Sequence, residues 1–180
     1  HIGIIALGLG LGGFGVFAAL LHTTNHSISK MLAFYSAGHI GEHYHTRDMR
    51  CISGSVSGVP LWGFTFFQSI LALIGVAPFA VFISEFLIFR EAFYKGHYFL
   101  FTGALICTLA IFMSMLHHVM GVSFGECTLE KTTIKKTRPI DTAIVWIGLL
   151  TLLLLGLWIP APYSALLQHA SAAIENGIGL

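Results

Sequence analysis

The feature that most restricts this chain is the length of its uncharged apolar runs. From Tyr98 to Met120 there is no Asp, Glu, Lys or Arg, and Thr142 to Trp158 repeats the pattern. A bilayer crossing needs about 20 mostly apolar residues, and the two runs meet that length or approach it. Over the whole of its 180 residues the chain is 56% hydrophobic and 9% charged, with a mean hydropathy of +0.83. Soluble domains carry charge on about a quarter of their residues, so the polar surface of a water-soluble globule is missing. The fold class expected is an all-α integral membrane bundle.

Several other classes are excluded on the same ground. The composition is too apolar for a disordered chain, and three distant cysteines (Cys51, Cys107, Cys127) give neither a disulfide framework nor a C-x-x-C metal or redox pair. The formal net charge is +1 and no basic stripe is present, which argues against a nucleic-acid partner. The chain opens on His1 within an apolar run, with no Met and no charged flank of a signal peptide, and is read as part of something longer.

About six transmembrane helices are expected, at residues 1–21, 22–40, 60–74, 78–94, 98–120 and 142–158, within a bundle spanning 1–162; residues 163–180 are expected to form a short surface helix and a frayed tail. The stretch Pro60 to His97 is too long for one crossing at 1.5 Å per residue. A break is placed at Gly75-Val76-Ala77-Pro78, where Gly tolerates the bend and Pro suits a restarting helix, so one helix is discontinuous. Residues 41–59, with GEHYHTRDMR and SGSVSG, read as a connection, and ECTLEKTTIKKTRPID as a polar segment outside the membrane. Orientation stays open, because Arg47, Arg50, Arg90 and Lys95 on one side balance Lys131, Lys135, Lys136 and Arg138 on the other.

Ten histidines against nine Lys plus Arg do not fit a passive bundle. His22, His26 and Lys30 recur at i, i+4, i+8 and share one face of a helix, with Ser29 and Ser36 near the same stripe. A Lys deep in a span costs about 2.5–3.5 kcal/mol, so this stripe is expected to face protein or water and to act as a proton relay. Glu85 is a second intramembrane charge with no partner on its own helix; Lys30 is the nearest candidate by depth. The break before Glu85 favours a functional role, since discontinuous helices line wet cavities. His117 and His118 close the fifth span, as the end of an exit path or, the preferred reading, as side chains at headgroup depth. His43, His45, Arg47, Asp48 and Arg50 are expected to tie the connection together or to meet a soluble partner. His22-x-x-x-His26 could hold a metal, but no carboxylate or thiolate stands near it in the sequence to complete zinc coordination, so no metal site is assigned.

HTTNHSISKMLAFYSAGHI, then HTRDMR, then GVAPFAVFISEFLIF resemble the antiporter-like membrane subunits shared by respiratory complex I, cation/proton antiporter complexes and energy-converting hydrogenases. NHSISK and APFAVFISEF are most similar to the hydrogenase-4 and formate-hydrogenlyase branch; HTRDMR also occurs in the NADH:quinone oxidoreductase branch. The resemblance covers about residues 1–95 in detail and the rest in hydropathy. It implies the C-terminal part of a larger subunit built from two inverted repeats, with a hydrophilic axis through His22, His26 and Lys30, and Glu85 as the ionisable residue of the second discontinuous helix, where some relatives have Lys. The first repeat would lie outside this chain.

The function so implied is proton translocation, or Na⁺ exchange, coupled to electron transfer in partner subunits. It would be carried out by a non-catalytic subunit with no cofactor of its own, in a bacterial or archaeal inner membrane beside other membrane and peripheral subunits. A stand-alone cation/proton antiporter is the alternative. A haem b anchor, with His22 or His26 and His117 or His118 as axial ligands, is the rival of a different class.

Overall fold

The structure is a computed structural model that describes residues 1–126 and 137–178. Among these residues it is all helix and connection. The helices are α1 (Ile2–Leu11), α2 (Phe14–Tyr44), α3 (Ser55–Gly58), α4 (Pro60–Leu73), α5 (Ala80–Tyr94), α6 (Tyr98–Phe124), α7 (Pro139–Leu157) and α8 (Ala161–Ile178). Two of them, α6 and α7, are long and apolar enough to cross a membrane by length and composition.

The first expected boundary is displaced. No break occurs between Leu21 and His22; the chain bends at Gly12–Gly13, both with positive φ (66° and 56°), and α2 then runs unbroken through His22 and His26 to Tyr44. Two adjacent glycines can take a conformation that costs other residues about 1–2 kcal/mol each, whereas Leu21-His22 offers the backbone no reason to turn. Lys95 closes the bend: its ammonium donates to the carbonyls of Leu11 (2.5 Å) and Gly12 (3.3 Å) and lies 3.6 Å from Glu91. A cation is thereby set at the negative end of α1.

The connection after α2 is folded. Asp48 accepts the backbone N–H of Arg50 at 3.0 Å and starts a 3-10 turn at Met49–Cys51, and Tyr44 donates to the Ser53 carbonyl at 2.8 Å. Helix α7 begins one turn before the expected span. Its first-turn acid, Asp141, accepts the Tyr35 hydroxyl at 2.8 Å. The C-terminal segment is a helix that starts at Ala161, and Leu167 packs with Phe17 and Leu21 of α2. Of the polar segment after α6, residues 127–136 lie outside the described part.

Helix α2 is the hub. It packs against α1, α4, α5, α7 and α8, and Leu32 and Ile40 join Trp62, Val145, Leu149 and Leu152 in the largest core cluster. Polarity is inverted relative to a soluble protein. Asn25, Ser29, Ser36, Thr65, Ser69 and Ser84 are fully buried, while Phe99, Ile106, Leu109, Ile147 and Leu154 stand exposed on the outer helices. An outer surface of this kind is costly in water and compatible with lipid.

Candidate functional site

The face of α2 that turns inward follows from helical rotation. At 100° per residue, Asn25, Ser29 and Ser36 stay within about 60° of His22 on one side, whereas His26 and Lys30 drift about 40° and 80° to the other. Burial follows that drift: His22, Asn25, Ser29 and Ser36 are fully buried, His26 is half-buried and Lys30 is exposed. The hydroxyls of Ser29 and Ser36 donate to the carbonyls of Asn25 and Leu32 one turn back, which satisfies them within their own helix.

Opposite this face lies the interruption between α4 and α5. Gly75 takes φ 75°, the Ala77–Pro78 bond is cis, and α5 starts at Ala80. Two contacts hold the restart. The Asn25 side-chain amide donates to the Ala80 carbonyl at 2.9 Å. On the far side, Gly156 of α7 lies so close to Pro78 O and the Phe79–Ala80 backbone that a Cβ there would overlap them. The restart thus sits between a side chain of α2 and a bare patch of α7.

One turn into α5, Ser84 and Glu85 face the buried stripe. Ser84 Oγ stands 2.9 Å from His22 Nδ1 and donates its own hydrogen to the Val81 carbonyl at 2.9 Å. The same hydroxyl is also 3.3 Å from the Ala80 carbonyl. With the hydroxyl donating to a carbonyl, it accepts from a His22 Nδ1–H, which leaves the lone pair of the neutral ring on Nε2. That atom points at His1, whose Nδ1 is 3.3 Å away, and His1 Nδ1 is in turn 3.5 Å from Glu85 Oε1. The His26 ring lies 4.4 Å from that of His1 and 6.1 Å from that of His22. Glu85 is 6% exposed. Its other oxygen rests against Gly75, where a Cβ would come within 2.6 Å. A cavity of about 310 Å³ between α5 and α6, walled mainly by Phe82, Phe86, Phe89, Leu109 and Phe112, opens beside Glu85.

One expectation changes. Lys30 is not the partner of Glu85: its ammonium lies 5.5 Å above the Phe34 ring on the exposed side of α2, and the carboxylate meets His1 instead. Sharing a helical stripe with His22 does not carry Lys30 inward, because two steps of 40° add up. His117 and His118 are exposed on α6, the latter with Nδ1 2.8 Å from the Ser114 carbonyl of its own helix, and none of the contacts at the site involves them. Sequence reasoning passed over His1 and Ser84. Ser84 adjoins Glu85, and its place one turn into the restarted helix was a usable signal; His1 had none, since it sits before a Gly-rich run.

A chain with ionisable groups buried at a helix interruption can be compared with known proteins on the same features. Residues 1–114 match the model of the NADH:quinone oxidoreductase/Mrp antiporter transmembrane family. The chain belongs to that family. The match includes both sides of the site, α2 with His22 and α5 with Glu85. Among relatives of this family, the hydrogenase-4 component F homolog of Methylacidiphilum infernorum is 29% identical over 177 residues, which is 97% of this chain and 36% of the relative. A putative antiporter subunit, mnhD2, of Staphylococcus aureus is 29% identical over 160 residues, 88% of this chain and 32% of that protein. The chain thus spans about a third of the length of these relatives. In fold it is similar to a chain of the Mrp complex from Dietzia sp. DQ12-45-1b, with a TM-score of 0.76 and 24% identity over 97% of this chain and 40% of the other.

Proposed function

We propose that this chain is the C-terminal, proton-translocating part of an antiporter-like membrane subunit, with His22, His26, Lys30 and Glu85 as its proton-carrying side chains. The observation that carries the reading is the position of Glu85. It is a carboxylate 6% exposed, one turn into a helix that restarts at an interruption, 3.5 Å from an imidazole and next to a second, buried one. A bilayer bundle does not retain such a group without use, because each intramembrane charge costs several kcal/mol. Histidine gains and loses a proton in the physiological range. A neighbouring buried carboxylate can exchange protons with it without ions crossing lipid unaided.

Lys30 fits this reading as the link to protein beyond the described residues. An exposed ammonium midway along a helix of this bundle would face acyl chains if nothing covered it. The relatives are about three times as long as this chain, which supports further protein on that face. About six spans, the smaller helices α1, α4 and α5 among them, complete the proposed topology within a pair of inverted repeats. The subunit would work without a cofactor of its own, in a bacterial or archaeal inner membrane with membrane and peripheral partners. The hydrogenase-4 relative favours electron transfer from a hydrogenase as the driving reaction. The antiporter-subunit relative and the Mrp fold neighbour favour cation/proton exchange as the second reading.

The test is made in the full-length subunit assembled with its partners and reconstituted into vesicles, with a pH-sensitive dye inside. Glu85→Gln abolishes most of the internal pH change, and Glu85→Lys retains a part of it because a titratable group remains. Equal loss in both would mean that Glu85 is structural.

A further inference from the structure

We propose that His1, His22, His26 and Glu85 form a binding site for one divalent transition-metal ion of the zinc class. The three imidazoles can each offer one ring nitrogen, and these nitrogens lie within 4.8 Å of one another. One pair, His1 Nδ1 and His22 Nε2, is 3.3 Å apart. Two nitrogens each about 2.0–2.1 Å from a tetrahedral zinc ion stand roughly 3.3–3.4 Å from each other, so this pair already has the spacing of two ligands on one ion. Glu85 Oε1, 3.5 Å from His1 Nδ1, brings a negative charge to the edge of this cluster.

The surroundings orient these atoms as a metal site requires. A histidine that ligates a metal almost always donates its other ring N–H to an oxygen, which sets the tautomer and aims the lone pair. His22 has such an oxygen in place: Ser84 Oγ lies 2.9 Å from its Nδ1, on the side of the ring away from His1. His26 contributes a buried Nδ1 with no hydrogen-bond partner. Three nitrogens and a carboxylate suit zinc and cobalt, whereas magnesium and calcium prefer oxygen ligands. The sequence hid the site because the His22-x-x-x-His26 pair has no carboxylate near it in the chain; the fold brings one from α5 and a third imidazole from the start of α1. An ion held here occupies lone pairs that a proton would otherwise use, so it would compete with proton transfer at these residues, while the site itself stands on its geometry.

The full-length protein in detergent is titrated with Co²⁺, and its visible absorption is read. The expected result is one Co²⁺ per chain with the intense absorption of a four-coordinate ion. His22→Gln and His26→Gln each weaken binding at least tenfold, while a His117→Gln, His118→Gln double variant binds as the unaltered protein does. No cobalt uptake, equal affinity in the His26→Gln variant, or loss in the His117/His118 variant overturns the proposal. Should the glutamine variants not fold, zinc-edge X-ray absorption of the unaltered protein decides: a shell with three imidazole nitrogens supports the site, and an all-oxygen shell refutes it.

Discussion

His22 Nδ1 of α2 and Ser84 Oγ of α5 are joined by a 2.9 Å hydrogen bond, and the serine hydroxyl also reaches the Val81 and Ala80 carbonyls. The bond crosses 62 residues of sequence and ties the long helix to the restarted one. Ser84→Ala leaves a buried imidazole nitrogen of His22 without its partner, at a cost of about 1–3 kcal/mol. The variant should melt at a lower temperature in detergent. It should also lose ion translocation in vesicles out of proportion to that loss, since the His22 ring is no longer held against α5. Unchanged melting would show that the bond contributes nothing.

Gly75 and Gly96 have almost the same backbone conformation, φ 75° and 76°, but only Gly75 faces a carboxylate; Gly96 has open space around it. Changing either to Ala incurs the left-handed penalty of about 1–2 kcal/mol. Gly75→Ala must in addition displace Glu85 Oε2. The expected outcome is similar destabilisation in thermal unfolding, with translocation impaired in Gly75→Ala and kept in Gly96→Ala. Equal translocation in the two would remove Glu85 from the path.

Lys30 is exposed, its ammonium lying over the Phe34 ring. Lys30→Ala should therefore shift stability by no more than about 0.5 kcal/mol, as surface substitutions do. Proton movement in the assembled complex should fall by most of its value, and Lys30→Arg should restore little, because a guanidinium does not give up its proton. A complex that pumps normally with Ala at this position would take Lys30 out of the relay.

Gly156 admits the restart of α5. Even Gly156→Ala places a methyl group on the Pro78 carbonyl, whereas Gly103 on α6 has nothing within 4 Å. Overpacking of this kind costs about 1–3 kcal/mol. Gly156→Ala should lower the melting temperature of the protein and Gly103→Ala should leave it unchanged. The opposite order would contradict the packing of α7 on the interruption.

Helix content was legible in the residues wherever a local signal was strong. Pro60 opens α4, the Gly75–Pro78 stretch interrupts the chain before α5, and the uncharged runs become α6 and α7. The boundary at Leu21-His22 was misread because hydropathy changes there and the backbone does not. A polar stripe on a helix alters what the helix faces without breaking it, and the turn belongs to the glycine pair at 12–13. The candidate site was legible only as separate parts. His22 and Glu85 stood out as ionisable groups in apolar segments, but the pairing of Glu85 with Lys30 rested on depth alone.

By itself the sequence determined that this chain is a helical bundle for a bilayer, interrupted before Glu85, with a titratable face on one helix and the motifs of its family. Those properties are local: they depend on which residues follow one another and on the period of the helix. The tertiary structure decided which of the titratable groups meet. Rotation along α2 turns His22 inward and Lys30 outward, and the bend at Gly12–Gly13 folds His1 back beside His22. The interruption before α5 delivers Ser84 and Glu85 to the same spot. Contacts between residues 21 and 62 positions apart arise from how the helices pack, which no window along the chain contains.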